Sequence, residues 1–166
     1  MPAPAVVTRL SRSAEDTEAL GAALGRTARG GELLGLVGEL GAGKTCLVPG
    51  HARGRGVDPE HVHSPTFVFA TEYPGGRLPL HHVDCYRLEP PVADTLFLRD
   101  VLYGDGVAAV EWFERLPPEA GADALIVTLR YAGDEAREIR LEARGSRHLR
   151  WLAAAVEPET ARKDGT

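Results

Sequence analysis

The sequence predicts an α/β domain of three layers, with a mixed central sheet flanked by helices. Three observations predict it. The apolar run Leu33-Leu34-Gly35-Leu36-Val37 leads straight into a glycine-rich octapeptide, and Thr45-Cys46-Leu47-Val48 then opens a helical stretch. A second run, Val107-Ala108-Ala109-Val110, is apolar at every position, as a strand buried on both faces of a parallel sheet must be. Along the rest of the chain, strand-like and helical patterns alternate, which is the signature of strands and helices packed as layers.

Taken in order, residues 6–10 read as a first strand. Ser13 is placed to cap a helix over 14–29, with Glu15 and Asp16 in the first turn, where the helix dipole favours acids. The strand 33–37 and its glycine loop follow, then a helix running to Gly56. Residues 66–71 and 78–86 predict two strands joined through Pro74-Gly75-Gly76. A short helix is expected over 94–102, and the buried strand 107–110 ends in Glu111. Residues 126–130 and 138–142 predict a second hairpin around Gly133-Asp134. The chain reads as one domain over 1–156, with a polar tail over 157–166 expected to be disordered.

The octapeptide Gly38-Glu39-Leu40-Gly41-Ala42-Gly43-Lys44-Thr45 fits the phosphate-binding pattern G-x-x-x-x-G-K-[ST]. Gly38, Gly41 and Gly43 leave the backbone free to turn its N–H groups toward phosphate oxygens, with Leu40 and Ala42 contributing amides between them. Lys44 is one of only two lysines, against seventeen arginines, so a compact ammonium is kept where β- and γ-phosphate oxygens would be gripped. The Thr45 hydroxyl suits Mg²⁺. The helix that begins here adds its first N–H groups, including that of Cys46, and the positive end of its dipole. A strand, a glycine loop and a helix form a P-loop, and the fold expected is therefore P-loop NTPase-like.

Composition bounds the partners. A net charge of −5 and a sequence pI of about 5.7 disfavour an extended surface for nucleic-acid backbone. No apolar run approaches the roughly 18 residues of a membrane helix, and residues 1–12 lack the apolar core of a signal peptide, so a cytoplasmic protein without a membrane partner is expected. Two cysteines, Cys46 and Cys85, make neither a disulfide framework nor a zinc spacing.

Glu111 closes an apolar strand at its carboxyl end, where α/β sheets bind ligands, and it is the first candidate to hold Mg²⁺ directly or through water. Asp84, in His81-His82-Val83-Asp84-Cys85-Tyr86-Arg87, shares a strand face with His82. It is a second candidate, for the metal or for orienting attacking water, and structural pairing with Arg87 or a histidine is the alternative. A zinc site built on His82 and Asp84 lacks a third ligand of suitable spacing.

The blocks Gly38 to Thr45, Ser64-Pro65-Thr66-Phe67, His82-Val83-Asp84-Cys85-Tyr86-Arg87 and Val110-Glu111-Trp112, in this order and at these separations, resemble the TsaE (YjeE) family. The resemblance runs from about Thr17 to Trp112. It implies a small ATPase of bacterial tRNA threonylcarbamoyladenosine (t6A) synthesis that acts with TsaB and TsaD proteins and meets tRNA only through them. It implies that Lys44 and the loop amides bind ATP phosphates, that Thr45 and Glu111 serve Mg²⁺, and that Asp84 supports hydrolysis to ADP. It also implies a switch-like loop carrying Thr66 near the γ-phosphate, Trp112 beside the nucleotide, and Thr17 toward the base.

Three positions depart from the family pattern, the mildest being Cys85 for the usual leucine, since a small apolar residue still suits a buried strand. Cys46 stands where threonine is common. Pro49 falls inside the helix after the phosphate loop, where it removes the N–H bond to the Thr45 carbonyl at a cost of about 3 kcal/mol, so a kinked or shortened helix is expected. A small-molecule or nucleoside kinase is the alternative function, for which only Arg53, Arg55 and Arg77 hint at a lid. A nucleotide-gated binding module without turnover is a third. A GTPase is excluded as far as N-K-x-D recognition goes, since the chain has no asparagine. No arginine finger is evident within the chain, so slow intrinsic turnover is expected.

Overall fold

The computed structural model describes residues 3–38, 44–57, 70–73, 76–85 and 104–156. Strand β1 (Ala5–Ser11) leads into helix α1 (Ala14–Thr27), and strand β2 (Leu33–Gly38) precedes helix α2 (Lys44–Gly54). Strands β3 (Ala70–Tyr73) and β4 (Leu80–Asp84) follow, then β5 (Val107–Glu111) and two 3₁₀ turns at Phe113–Arg115 and Pro118–Gly121. The chain closes with β6 (Ala124–Tyr131), β7 (Arg137–Arg144) and helix α3 (Ser146–Ala155). The expected α/β fold is present.

Among the described residues the strands form one seven-stranded sheet in the order β1-β7-β6-β2-β5-β4-β3. It is mixed, as the sequence predicts. β2 lies parallel between β5 and β6, and β4 runs parallel to β5. The pairs β1–β7, β6–β7 and β3–β4 are antiparallel. β2 takes the centre because residues 33–36 are buried on both faces and carry no charge that needs water.

Register sorts the side chains into two cores. On one face Leu34 and Leu36 stand beside Leu125 and Val127, and these join Leu24, Leu47, Val48, Trp151 and Leu152 from the three helices. On the other, Leu33, Val83, Ala108 and Val110 pack under Phe113 and Leu116 from the 3₁₀ segment. Helices, sheet and turn segment are the three layers. Gly35 marks the contact, because a Cβ there would meet the Phe113 ring at 2.6 Å.

α1 and α2 approach each other backbone to backbone. A Cβ added at Gly21 or Gly25 would overlap the carbonyl oxygens of Leu47 or His51, and one at Gly50 or Gly54 would overlap those of Glu18 or Ala22. Two glycines spaced four apart on each helix therefore form a single seam, and the sequence reading did not recognise it. The seam also bears on Pro49. α2 continues past it to Gly54, so of the kinked or shortened helix expected there, the shortening at Pro49 does not occur. Packing against α1 keeps the helix going where local propensity disfavours it.

Boundaries moved for local reasons. Ser13 caps α1 as expected, its Oγ accepting the Asp16 N–H at 3.1 Å. The helix stops at Thr27 because Ala28 turns extended, and the buried Glu32 carboxylate then accepts the N–H groups of Arg29 and Gly30, both at 2.6 Å. The hairpin pairing of β3 with β4 bears out the expectation for that segment, although Pro74 and Gly75 at its tip lie outside the described residues, as do the expected helix over 94–102 and the tail over 157–166. Helix α3 was not anticipated. Its burial of His148, Trp151, Leu152 and Ala155 follows helical spacing, and Trp151 Nε1 donates to the Leu24 carbonyl at 2.9 Å, which ties α3 to α1.

Candidate functional site

The site forms at the carboxyl edge of the parallel strands. β2 ends there at Gly38, whose φ of 159° is ordinary extended backbone, and α2 begins at Lys44. The loop positions Leu40, Gly41, Ala42 and Gly43 lie outside the described residues, as does Thr66, and the side-chain roles expected of Lys44 and Thr45 lie outside them too. The frame around the loop is described. Strand, loop position and helix stand in the order a phosphate-binding loop requires.

Register brings the two candidate acids together. Glu111 pairs with Leu36 on β2 and with Asp84 on β4, so both carboxylates sit at one strand end, beside the departure of the loop. Opposed residues share a face, and this face is the one that α2 covers. Glu111 is only 5% exposed, whereas Asp84, one strand further out, is half-buried. The Glu111 backbone carbonyl accepts the Cys85 N–H at 3.0 Å, which keeps β4 and β5 paired up to the edge.

Beneath these acids lies His82, 2% exposed. Its Nε2 is 2.8 Å from Glu111 Oε2, and since a carboxylate only accepts, Nε2 carries the proton and donates. Strand alternation alone puts His82 on the face of Asp84. Its pairing with Glu111, twenty-nine residues on, depends on which strands are neighbours and leaves no trace in the local pattern.

Trp112 follows Glu111 in the left-handed region, with φ 58° and ψ 43°, alone among the described non-glycine residues. Such a conformation costs on the order of 1–3 kcal/mol and persists where surrounding contacts enforce it. Here Phe113 is driven onto Gly35 while Trp112 stays partly buried at the site edge, with the Arg115 guanidinium 5.8 Å from its ring centre. Thr17 is buried, its Oγ1 2.7 Å from Ser11 Oγ at the end of β1. That end opens on a cleft of about 340 Å³ lined by Arg9, Ser11, Asp16, Ile139 and Val156. Cys46 is partly exposed, while Cys85 is buried and its thiol is pushed up to about 12 by burial, with Asp84 and Glu114 adding to the effect. Cys85 is therefore an inert packing residue.

A hard divalent cation fits this donor set. Glu111 presents carboxylate oxygen held by a histidine, and Asp84 is its neighbour across the register. Among the described residues no three His, Cys, Asp or Glu side chains form a cage of their own, so a cation bound here would take most of its ligands from a substrate and water.

A family model described as threonylcarbamoyl adenosine biosynthesis protein TsaE matches residues 11–139. The chain belongs to the TsaE family. Relatives described as tRNA threonylcarbamoyladenosine biosynthesis protein TsaE include that of Bacillus subtilis, 40% identical over 134 residues, or 81% of this chain and 84% of the relative. The Streptomyces coelicolor TsaE is 42% identical over 141 residues, covering 82% and 95%. The TsaE of Treponema pallidum is 41% identical over 132 residues, covering 78% and 96%. Among solved structures, the crystal structure of Bacillus subtilis YdiB superposes with a TM-score of 0.75 at 30% identity over 99% of both chains.

The TsaE match spans the phosphate loop, both acids and Trp112 and stops at the start of β7, so α3 lies beyond it. The arginines considered for a kinase lid have other work in this TsaE fold. Arg53 pairs with Glu18 at 3.2 Å, and Arg77 Nη2 donates to the Gly25 carbonyl at 2.7 Å. Arg55 is buried and donates to the carbonyls of Leu78 and Pro79, tying the end of α2 to the start of β4. No helix among the described residues is long and apolar enough to cross a membrane.

Proposed function

We propose that this chain binds ATP and hydrolyses it slowly as an accessory protein in the threonylcarbamoyl modification of adenosine 37 in tRNA. It acts on a complex of TsaB-like and TsaD-like proteins in the cytoplasm and meets tRNA only through that complex. One observation carries the ATP reading: the register that sets Glu111 between Leu36 and Asp84, at the strand end from which the loop to Lys44 departs. The names of the relatives support the place in t6A synthesis.

In this reading Lys44 and the amides from Gly38 to Cys46 bind the β- and γ-phosphates, helped by the positive end of α2. Thr45 and Glu111 hold Mg²⁺, which when bound offsets charge on the phosphate oxygens. Asp84 supports hydrolysis from the neighbouring strand, through the metal or the attacking water. Thr66 serves the γ-phosphate, Trp112 borders the nucleotide, and Thr17 lies on the side of the base. No arginine finger is evident among the described residues, and in this reading a partner completes the site and turnover alone is slow.

The test is ATP turnover with and without TsaB, TsaD and tRNA, scored beside t6A formation. Stimulation by the partners together with repeated t6A synthesis is the expected result. Unaided turnover of about ten per second or faster would overturn the accessory reading, and phosphoryl transfer to an added acceptor would replace it with a kinase.

A further inference from the structure

We propose that His82 is a positioning residue for the Glu111 carboxylate, and through it for the divalent cation that accompanies the nucleotide. The inference rests on the reading of Glu111 as a cation ligand and goes beyond it by naming what holds that ligand in place.

The geometry is particular. Ala109 is the register partner of His82, and Glu111 lies two residues further along β5 on the same face. A methyl group opposite leaves the imidazole room to lean along the strand toward its end, where Nε2 reaches Glu111 Oε2 at 2.8 Å. His82 thus sits one pleat below Glu111 and Asp84, on the core side of both. An apolar residue there would leave a carboxylate that is 5% exposed without this donor, and such a loss costs more than a neutral bond would.

The buried histidines differ in what their rings hold. With the proton on Nε2, Nδ1 of His82 is a bare acceptor, and it has no hydrogen-bond partner among the described residues although it is buried. His148, equally buried, shows the opposite pattern: Nε2 accepts the Leu33 N–H at 3.0 Å and Nδ1 lies 2.8 Å from Asp123 Oδ1. His51, buried against Arg55, also leaves Nδ1 without a hydrogen-bond partner among the described residues, so an open Nδ1 is not peculiar to His82. What sets His82 apart from both is its partner: its bond, at 2.8 Å, goes to a carboxylate at the strand end that is a candidate metal ligand.

The test measures metal binding directly, without turnover. Mn²⁺ is titrated onto the ADP-loaded protein by electron paramagnetic resonance, and ADP affinity without metal is measured by calorimetry. Replacing His82→Leu is expected to weaken Mn²⁺ about tenfold or more, the usual effect of removing a partner of a metal ligand, while metal-free ADP affinity stays as in the parent. His82→Gln keeps an N–H that can reach Glu111 and is expected to restore most of the Mn²⁺ affinity, whereas the shorter His82→Asn is not. Unchanged Mn²⁺ affinity in folded His82→Leu overturns the proposal, as does an equal loss of metal-free ADP affinity. If His82→Leu does not fold, the comparison of His82→Gln with His82→Asn decides, and equal metal affinities in those two overturn it. Glu111→Gln in the same titration isolates the underlying reading: unchanged Mn²⁺ affinity there removes Glu111 as a ligand whatever His82 does.

Discussion

The backbone N–H of Leu33, the first residue of β2, donates to Nε2 of His148, 115 residues further along the chain, at 3.0 Å. The bond anchors the strand that leads toward Lys44 to helix α3, and Nδ1 of the same ring is held by Asp123. A strand's first N–H has no ladder partner of its own here. The buried imidazole supplies one.

Replacing His148→Leu strands that N–H in the core. Unfolding in urea should show a loss of about 1–3 kcal/mol, the cost of a buried donor left unpaired. A loss within measurement error would mean that Leu33 finds another acceptor.

The seam between α1 and α2 tolerates no side chain. Gly50→Ala pushes a methyl group into the Glu18 carbonyl, and Gly21→Ala does the same at Leu47. Each substitution should destabilise by about 1–3 kcal/mol, although alanine is the better helix former. Thermal melts of the two variants check this, and a rise in midpoint would show that the helices are not in close contact.

Pro49 costs α2 a backbone bond that the fold tolerates. Pro49→Ala restores the N–H to the Thr45 carbonyl and should raise stability, by at most about 3 kcal/mol. Denaturant midpoints of the two proteins decide it. An unchanged midpoint would mean that the helix bends at this position and the bond cannot form.

His51 is buried against Arg55, and burial holds its imidazole down to about 3, with the Arg55 and Arg77 charges adding to the effect. The folded state binds no proton there until the pH is far below the ordinary histidine value of 6.5, whereas the unfolded chain binds one at that value. Stability from this site is therefore complete above about pH 7 and falls as the pH drops below 6.5, by about 1.4 kcal/mol per unit, until the folded value near 3 is reached. Urea unfolding at about pH 7.5 and about pH 5.5 should show a loss of about 1.4 kcal/mol that a His51→Gln variant lacks.

At the proposed nucleotide site, Lys44→Ala should abolish ATP binding while the melting transition stays cooperative. Intact affinity in a folded variant would remove the P-loop assignment. Glu111→Ala should raise the Mg²⁺ concentration needed for half-maximal hydrolysis, and an unchanged requirement would make the residue structural.

The elements that sequence located best were those with a strong period or a punctuating residue. Ser13 announced α1, the buried run 107–110 became β5, and Gly133-Asp134 marked the turn between β6 and β7. Helix α3 escaped because His148 and Trp151 weaken an apolar stripe that only their buried hydrogen bonds complete. The glycines of α1 and α2 read locally as weak helix formers, and their use appears only when the two helices lie side by side.

The octapeptide, the strand before it and the acid that ends 107–111 could be read from order along the chain, since each is a contiguous pattern with a local physical cause. The order of strands in the sheet could not. Placing β2 against β5 and β5 against β4 sets Leu36, Glu111 and Asp84 in one row and lays His82 under Glu111. Those are contacts between residues far apart in sequence, selected by which buried faces pack best. A single chain read from end to end carries their residues but not their neighbours.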